Sequence, residues 1–264
     1  MIRLSERMEH IVELAKPEES GSVFACSAEI GCDHAYITME IIRRGYAKAG
    51  IAMDVKEGPL KRAAANIKTE FKDNSAGRTV DIRLSDGLIK LKEGESDLLV
   101  IAGMGGGLIC RILEEGKQVS DSVPVWILQP QTECYELRKY LLGRNHLIEK
   151  EDMVLEDGKF YPMFRVVHKA YYGKSRGSKS DSQEKNTGEP DEMAIGEDIK
   201  LKYGPLLLEE KHPCLLKYLL WKENVNRELF SLLEHESSSK AVKRKKELEN
   251  EYLEIQEVKE YVMW

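Results

Sequence analysis

Apolar segments alternate with helical segments through the first half of the chain. Five apolar runs have the length and the composition of buried β-strands. They span residues 23–30, 47–54, 79–84, 97–102 and 123–129. Between most of these runs, and in residues 3–15, apolar residues recur at helical spacing. Strands that alternate with helices predict an α/β fold with a parallel sheet covered on both faces.

A β-hairpin is predicted beyond the fifth run, after a helix at 135–142. Residues 145–155 and 160–169 form two extended runs, and the turn between them contains Asp157-Gly158. Asp-Gly between two extended runs is a strong hairpin signal. We therefore expect a mostly parallel sheet that ends in an antiparallel hairpin.

The composition changes at residues 173–192, which contain no apolar residue and are typical of a flexible polar linker. Beyond them, two segments with apolar residues at spacings of three and four flank Ser237–Ser239. This pattern predicts two antiparallel helices in a short coiled coil. We predict a first domain at 1–170, a linker at 171–198 and a helical coiled-coil domain at 199–264.

Composition and charge narrow the classes of function. The 264 residues include 40 Lys and Arg against 46 Asp and Glu, a net charge of −6, and residues 1–170 and 171–264 carry −3 each. A nucleic-acid partner would therefore need a local basic patch. The longest apolar run, 98–102, is far shorter than the roughly 20 residues that cross a bilayer, so no membrane partner is expected. Five cysteines without a CxxC pair argue against disulfides and a metal site, and they favour a cytoplasmic protein.

The first strand ends in a short acidic turn. Glu29 lies in the strand and Gly31 follows it directly, which lets a ligand approach the backbone and the next helix. The turn has one glycine and lacks the GxGxxG pattern, so it suits a sulfonium cation with an ammonium group better than a pyrophosphate. An ordinary strand–helix turn with Asp33 near the helix start is equally compatible with these residues.

Acidic residues follow the second and third strands. Asp54 is placed to accept both ribose hydroxyls of an adenosine. Asp86, followed by Gly87, could accept a hydrogen bond from an adenine amino group. A helix N-cap for Asp54 and a simple Asp-Gly turn for Asp86 are the structural alternatives.

Glycines and amides follow the fourth and fifth strands. Four of the five residues at 103–107 are glycines, which leave bare backbone where a ligand can approach. The predicted site residues here are Gly103, Met104, Gly105, Gln129, Pro130 and Gln131. Open α/β sheets bind ligands at the carboxyl edge of their strands. A turn glycine, two acids and a glycine loop in this order predict a pocket for S-adenosyl-L-methionine.

Five short segments also carry a family pattern. They are Ile30–Tyr36, Gly58–Leu60, Asp86–Leu88, Ile101–Gly106 and Leu128–Pro130. Together they resemble the bacterial tRNA (adenine-22-N1)-methyltransferases. The resemblance implies a class I S-adenosylmethionine-dependent enzyme with a Rossmann-like domain and a C-terminal coiled-coil domain. It also implies methylation of N1 of adenine-22 in the D-loop of tRNA, with S-adenosyl-L-homocysteine as the product.

Two positions depart from the family pattern, because Glu29 replaces the usual aspartate and Gln131 the usual asparagine. Two alternatives therefore stay open. The first is a methyltransferase that acts on another RNA or on a protein, and the second is a non-catalytic tRNA- or protein-binding relative with the same fold.

The implied reaction assigns candidate roles to further residues. Adenine N1 lies on the Watson–Crick edge, so the base must leave its stack. Asp33 is the candidate that holds or deprotonates the adenine amino group, with His34 and Tyr36 as further catalytic candidates. Tyr36 and Tyr161 are candidates to stack on the base, although core positions also explain them. We expect a monomer.

A basic cluster at residues 240–246 contains Lys243 and Arg244, the candidates for contacts with tRNA phosphates. A solvated helix start explains the same cluster equally well.

Overall fold

The computed structural model describes residues 3–18, 23–71, 79–171 and 195–263. The chain divides into two units, Met1–Gln183 and Glu184–Trp264. Most of the predicted linker at 171–198 lies outside the described residues. The linker and the domain boundaries therefore stay predictions.

The first unit contains a seven-stranded sheet. Its strands are β1 (Phe24–Ile30), β2 (Ala47–Asp54), β3 (Thr79–Leu84), β4 (Leu98–Gly105), β5 (Val125–Thr132), β6 (His146–Glu156) and β7 (Lys159–His168). The helices of this unit include α1 (Glu6–Leu14), α2 (Tyr36–Arg43), α3 (Glu57–Glu70), α4 (Gly106–Glu115), α5 (Lys117–Ser122) and α6 (Cys134–Leu142). The predicted strands at 47–54 and 79–84 are confirmed to the residue. Helix α5 was not predicted.

The strands lie in the order β3-β2-β1-β4-β5-β7-β6. The first five are parallel, and β7 is antiparallel to both β5 and β6. The turn between β6 and β7 places Asp157 and Gly158 at φ of 48° and 73°, the left-handed conformations that a tight hairpin turn needs. The predicted α/β fold with a terminal antiparallel hairpin is thus confirmed.

Both faces of the sheet are buried, as successive residues of β4 show. Leu99 and Ile101 join the apolar cluster on one face, which also contains Trp126. Leu98 and Val100 join the cluster on the other face, together with apolar residues of α1 and α2. Side chains alternate across a strand, so a continuous apolar run indicates a sheet covered on both sides.

The second unit is helical. Its helices include α7 (Glu197–Tyr203), α8 (Pro205–Glu209), α9 (Pro213–Leu233) and α10 (Ser239–Met263). Helices α9 and α10 are antiparallel, because Asn226 donates to the Leu248 carbonyl at 3.0 Å while the earlier residue Glu223 accepts from the later Lys259 at 2.6 Å. The predicted helical pair is confirmed, but its coiled-coil character stays a prediction. Within the described ranges, the structure has no helix whose length and apolar character would let it cross a membrane.

Candidate functional site

The candidate site lies where the strand order reverses, at the carboxyl edge of β1 and β4. Ile30 pairs with Met53 of β2 on one side and with Ile101 of β4 on the other. A cavity of about 220 Å³ opens beside this edge. Seven predicted site residues line it, namely Glu29, Gly31, Asp33, His34, Tyr36, Gly103 and Gln131. The lining residues that sequence reasoning missed are Arg7, Met8, Ile11, Cys32, Ile37 and Ala102.

The loop between β1 and α2 has an unusual backbone. Gly31, Asp33 and Ala35 have φ of 73°, 42° and 58°, so three residues in five are left-handed. Such a conformation suits glycine, is tolerated by aspartate, and costs about 1–3 kcal/mol at alanine. The N–H groups of Gly31 and Cys32 both donate to the Met53 carbonyl, at 2.8 and 3.0 Å. This strained turn directs residues 31–36 along the cavity, as is common at functional sites.

Glu29 is a buried acid in the wall of the cavity, with 4% of its surface exposed. Its Oε2 accepts hydrogen bonds from the Thr38 backbone N–H at 3.0 Å and from the Thr38 hydroxyl at 2.5 Å. Burial raises the pKa of this carboxyl to about 7, while the Thr38 hydrogen bonds oppose the shift and the nearby charges of Asp33 and Asp54 add to it. A cation beside Glu29 would stabilise its charged form.

Asp33 is the most accessible acid of the site, with 60% of its side chain exposed. Its Oδ1 accepts from the Arg62 guanidinium at 2.7 Å, and its Oδ2 lies 3.6 Å from His34 Nε2. The His34 ring stacks on Tyr36, with centroids 5.1 Å apart and planes 10° from parallel. The three predicted catalytic residues therefore contact one another at the end of the loop between β1 and α2.

The β4 loop reaches the cavity at Gly103, which has φ of 76°. Its N–H donates to Gln129 Oε1 at 3.1 Å, beside a shift in the β4–β5 register. Gln129 is fully buried, and its Nε2 donates to the Pro130 carbonyl at 2.8 Å, so the geometry gives this amide a positioning role. Met104 packs against Gly31, because a Cβ on that glycine would lie 2.3 Å from the methionine methyl carbon. Substrate contacts of Gln129 and Pro130 stay predictions.

The later glycines of this loop pack closely against Thr132 and Glu133. A Cβ on Gly106 would lie 2.4 Å from the Glu133 carbonyl oxygen and 2.9 Å from that of Thr132. The N–H of Gly107 donates to Glu133 Oε2 at 3.0 Å, and a Cβ on Gly105 would lie 3.1 Å from the same oxygen. Close packing against the turn before α6 therefore accounts for these glycines. Gly105 does not line the cavity, so its cofactor contact stays a prediction.

The acids after β2 and β3 lie at the same edge of the sheet but outside the cavity. The Ser85 N–H donates to the Asp54 carbonyl at 2.9 Å, which joins the ends of the two strands. The Asp54 carboxylate accepts a hydrogen bond from the Lys56 N–H at 2.9 Å. Asp86 is exposed to solvent, and the backbone of Gly87 is left-handed. Contacts of these residues with adenosine stay predictions.

Two predicted substrate contacts lie elsewhere in the structure. Tyr161 packs against the apolar cluster beneath α1, and the Arg7 guanidinium lies 5.0 Å from its ring centroid, so the core alternative fits it better than base stacking does. In the second unit, Lys243 is exposed, whereas Arg244 pairs with Glu247 at 3.0 Å and with Glu251 at 3.3 Å.

Comparison with known proteins decides the family. The family described as "Methyltransferase domain" matches residues 4–164, which is more than half of the chain. The chain belongs to this methyltransferase family.

Among curated proteins, this methyltransferase is similar to the tRNA (adenine(22)-N(1))-methyltransferase of Bacillus subtilis (strain 168). The two are 33% identical over 160 residues, which cover 61% of this chain and 63% of the relative. The chain spans 60–63% of the length of the curated relatives that it matches.

Two solved structures extend the similarity to both units. The B. subtilis m1A22 tRNA methyltransferase TrmK superposes with a TM-score of 0.74 and 26% identity, covering 98% of this chain and 100% of that one. The Streptococcus pneumoniae protein Sp1610, crystallised in complex with S-adenosyl-L-methionine, superposes with a TM-score of 0.72 and 27% identity, covering 97% and 100%.

Replacing Glu29 with glutamine should change how stability depends on pH. The pKa of Glu29 is raised from 4.5 to about 7, so its favourable contribution is complete below pH 4.5 and is lost as the pH rises through 7. In the E29Q variant, the side chain does not titrate, so this pH-dependent loss of stability is absent. Its free energy of unfolding, relative to the wild type, should therefore rise by roughly 2–3 kcal/mol between pH 4.5 and 8. Urea denaturation at both pH values measures the change, with the exposed Glu57→Gln as control. If the difference in free energy of unfolding between E29Q and the wild type were the same at both pH values, the raised pKa of Glu29 would be wrong.

Adding a methyl group to Gly106 should destabilise the fold, because two carbonyl oxygens already occupy the space of its Cβ. We expect Gly106→Ala to lower the free energy of unfolding by about 1–3 kcal/mol. Gly58→Ala is the matched control, since its Cβ would meet only Arg62 at an ordinary 3.8 Å and alanine favours the helix. Thermal unfolding of both variants tests the difference. Equal stability of the two would show that the Gly106 contact is not tight.

Proposed function

We propose that this protein is an S-adenosylmethionine-dependent methyltransferase that methylates N1 of adenine-22 in tRNA. The observation that carries the proposal is the acid-lined cavity between β1 and β4, at the point where an open α/β sheet binds its ligand. The tRNA methyltransferase activity named for the similar B. subtilis protein and the S-adenosyl-L-methionine bound by the S. pneumoniae protein support the same function.

The residues of the site fit S-adenosylmethionine. Gly31 and Gly103 present bare left-handed backbone to the cavity, and Glu29 places a buried acid beside them. These residues would hold the amino-acid end of the cofactor, and Asp54 and Asp86 would hold its adenosine. When bound, the cofactor supplies an electrophilic methyl group. A single turn glycine and an adjacent buried acid suit a cationic ligand better than a pyrophosphate.

Asp33 would orient the base that accepts the methyl group. Adenine N1 carries a ring lone pair, so it needs no deprotonation before attack, and alignment of the reacting atoms is the main demand on the protein. The exposed Asp33 carboxylate can accept a hydrogen bond from the adenine amino group and can take its proton afterwards, while Arg62 fixes the carboxylate. The stacked pair of His34 and Tyr36 offers an aromatic face to a base that has left its stack.

The basic cluster of the second unit would add affinity for tRNA. Lys240, Lys243 and Lys246 are exposed, and within the described part of the chain they form no ion pair. Arg244 is paired with two glutamates, and Lys245 donates to the carbonyls of Glu234 and Glu236. We therefore expect Lys243, more than Arg244, to contact the tRNA phosphates. We also propose a monomer that acts in the cytoplasm.

Asp33→Asn should separate catalysis from cofactor binding. Asparagine keeps the size of the side chain but removes the proton acceptor, so we expect methyl transfer to fall about 100-fold or more, with little change in cofactor affinity. Mass mapping of tRNA digests locates the methyl group, and calorimetry measures the cofactor affinity. Asp81→Asn is the matched control, because Asp81 is an equally exposed aspartate that pairs with an arginine outside the cavity. Wild-type rates in D33N would refute the role of Asp33, and a methyl group on another base or on protein would refute the proposed substrate.

Lys243→Glu should weaken tRNA binding if the basic cluster contacts phosphates. We expect about a three- to ten-fold loss of affinity and a salt slope lower by about 1, because one phosphate contact is removed. Filter binding over a range of salt concentrations measures both values. The control is Lys217→Glu, which reverses an exposed lysine on α9. Equal effects of the two variants would favour the solvated-helix alternative.

A further inference from the structure

Helix α3 packs against the loop between β1 and α2. Ala63 of the helix shares a buried apolar cluster with Cys32 and Ala35 of the loop. Residues three and four apart on a helix are neighbours on one face. Asn66 follows Ala63 by three residues and Arg62 by four, so two polar side chains flank the apolar contact. Both of them reach the loop.

The Asn66 amide contacts His34 at two points. Its Nδ2 lies 3.1 Å from the His34 carbonyl oxygen and 3.5 Å from the ring nitrogen Nδ1 of the same residue. A carbonyl oxygen can only accept, so the first contact fixes which end of the amide faces the loop. The NH2 group has a proton for each contact and cannot accept one from the ring. In neutral His34, Nδ1 is therefore the unprotonated nitrogen, and Nε2 carries the ring proton.

The other side of the His34 ring faces Asp33. His34 Nε2 lies 3.6 Å from Asp33 Oδ2, so the ring proton lies on the side of a carboxylate. Arg62 holds the other oxygen of this carboxylate at 2.7 Å. Two residues of α3, one helical turn apart, thus hold the pair of Asp33 and His34 from both ends. The Nδ1 lone pair faces Asn66 and Nε2 is already protonated, so His34 does not compete with Asp33 for a proton of the base.

The loop has two separate anchors. Its first half, Gly31 and Cys32, donates to the Met53 carbonyl of β2. Its second half has a left-handed residue on either side of His34, and such conformations persist only where neighbouring contacts enforce them. The bond from Asn66 to the His34 carbonyl is one of these contacts. Loss of this bond should therefore disturb the second half of the loop and leave the first half in place.

We propose that Asn66 is a positioning residue for methyl transfer. It is not among the described residues that line the cavity, so it acts through His34 and Asp33. By holding the loop and the His34 ring, it keeps the Asp33 carboxylate in place to accept from the amino group of the base. This inference rests on the proposed function, and it adds a residue of α3 to the site.

The kinetic test uses Asn66→Asp and Asn66→Gln in the full-length protein. Aspartate has the same size but no donor, so N66D should lower kcat for tRNA methylation about 3- to 10-fold, the range for one hydrogen bond. Calorimetry should show unchanged affinity for S-adenosylhomocysteine, because Gly31 and Cys32 keep their own anchor. Glutamine retains the amide, so N66Q should recover part of the loss in kcat. The matched control is Thr69→Ala, because the Thr69 hydroxyl also donates to a backbone carbonyl on α3, at Ala65, and its loss should leave kcat unchanged.

Nuclear magnetic resonance gives a second readout, which does not depend on activity. Nitrogen chemical shifts of the His34 ring, assigned with the His34→Asn variant, show which nitrogen carries the proton. At about pH 8, above the ordinary histidine pKa of about 6.5, the wild type should carry it on Nε2. In N66D a carboxylate faces Nδ1 and can only accept, so the proton should move to Nδ1.

Three results would overturn the inference. Equal losses of kcat and of affinity for S-adenosylhomocysteine in N66D would show a general structural role of Asn66. A wild-type kcat in N66D, or a His34 proton that stays on Nε2 in that variant, would show that the amide does not position the pair. Both of these results require an active wild type. If the wild type itself does not methylate tRNA, the proposed function fails, and this inference fails with it.

Discussion

The pairing of β1 with both β2 and β4 is the constraint on which the site depends. After β1, the chain forms β2 and β3 on one side of β1, and then β4 and β5 on the other side. The loops after β1 and β4 therefore lie next to each other at one edge of the sheet and lead away in opposite directions. Ile30 pairs with Met53 and Ile101, and this register brings Gly31 and Gly103 to one level. A shift of one residue in either pairing would turn Glu29 away from the cavity wall, because side chains alternate along a strand. The packed clusters on both faces of the sheet maintain the register, since a shift would exchange side chains between the two clusters.

The electrostatics of the cavity follow from this arrangement. Glu29 lies in a buried strand, where the loss of hydration raises its pKa to about 7. Arg7 lines the same cavity, and its buried Nε has no hydrogen-bond partner. Each group is less well satisfied than a structural ion pair such as Arg138–Glu151, whose atoms meet at 2.7 Å. Charges that are buried together in one cavity without pairing directly retain the ability to bind a ligand of complementary charge. This arrangement is the one expected of a ligand-binding cavity.

The sequence predicts the fold and the edge of the sheet at which the cavity lies, because both depend on patterns of whole segments. Continuous apolar runs predict buried strands, and polar or glycine residues at their ends indicate the functional edge. Contacts between distant residues leave no such pattern. The clash that excludes a side chain at Gly106 involves Glu133, and the position of Arg7 depends on Gln129 and Tyr161. The left-handed φ of Ala35 is also hidden, since alanine gives no local signal for that conformation. The place of Arg7 in the cavity wall could be found only once α1 was placed beside the cavity.

The acidic net charge is compatible with an RNA substrate once the pairing of charges is considered. Many acids are already neutralised by arginines, as Glu40 is by Arg43 and Arg44. The lysines at 240, 243 and 246 are exposed and form no ion pair within the described chain, so their field is not cancelled locally. Screening limits the reach of any charge to about 8–10 Å at physiological salt, so a phosphate contact depends on the local patch and hardly on the total of −6. Short-range phosphate contacts would therefore supply the affinity for an RNA substrate.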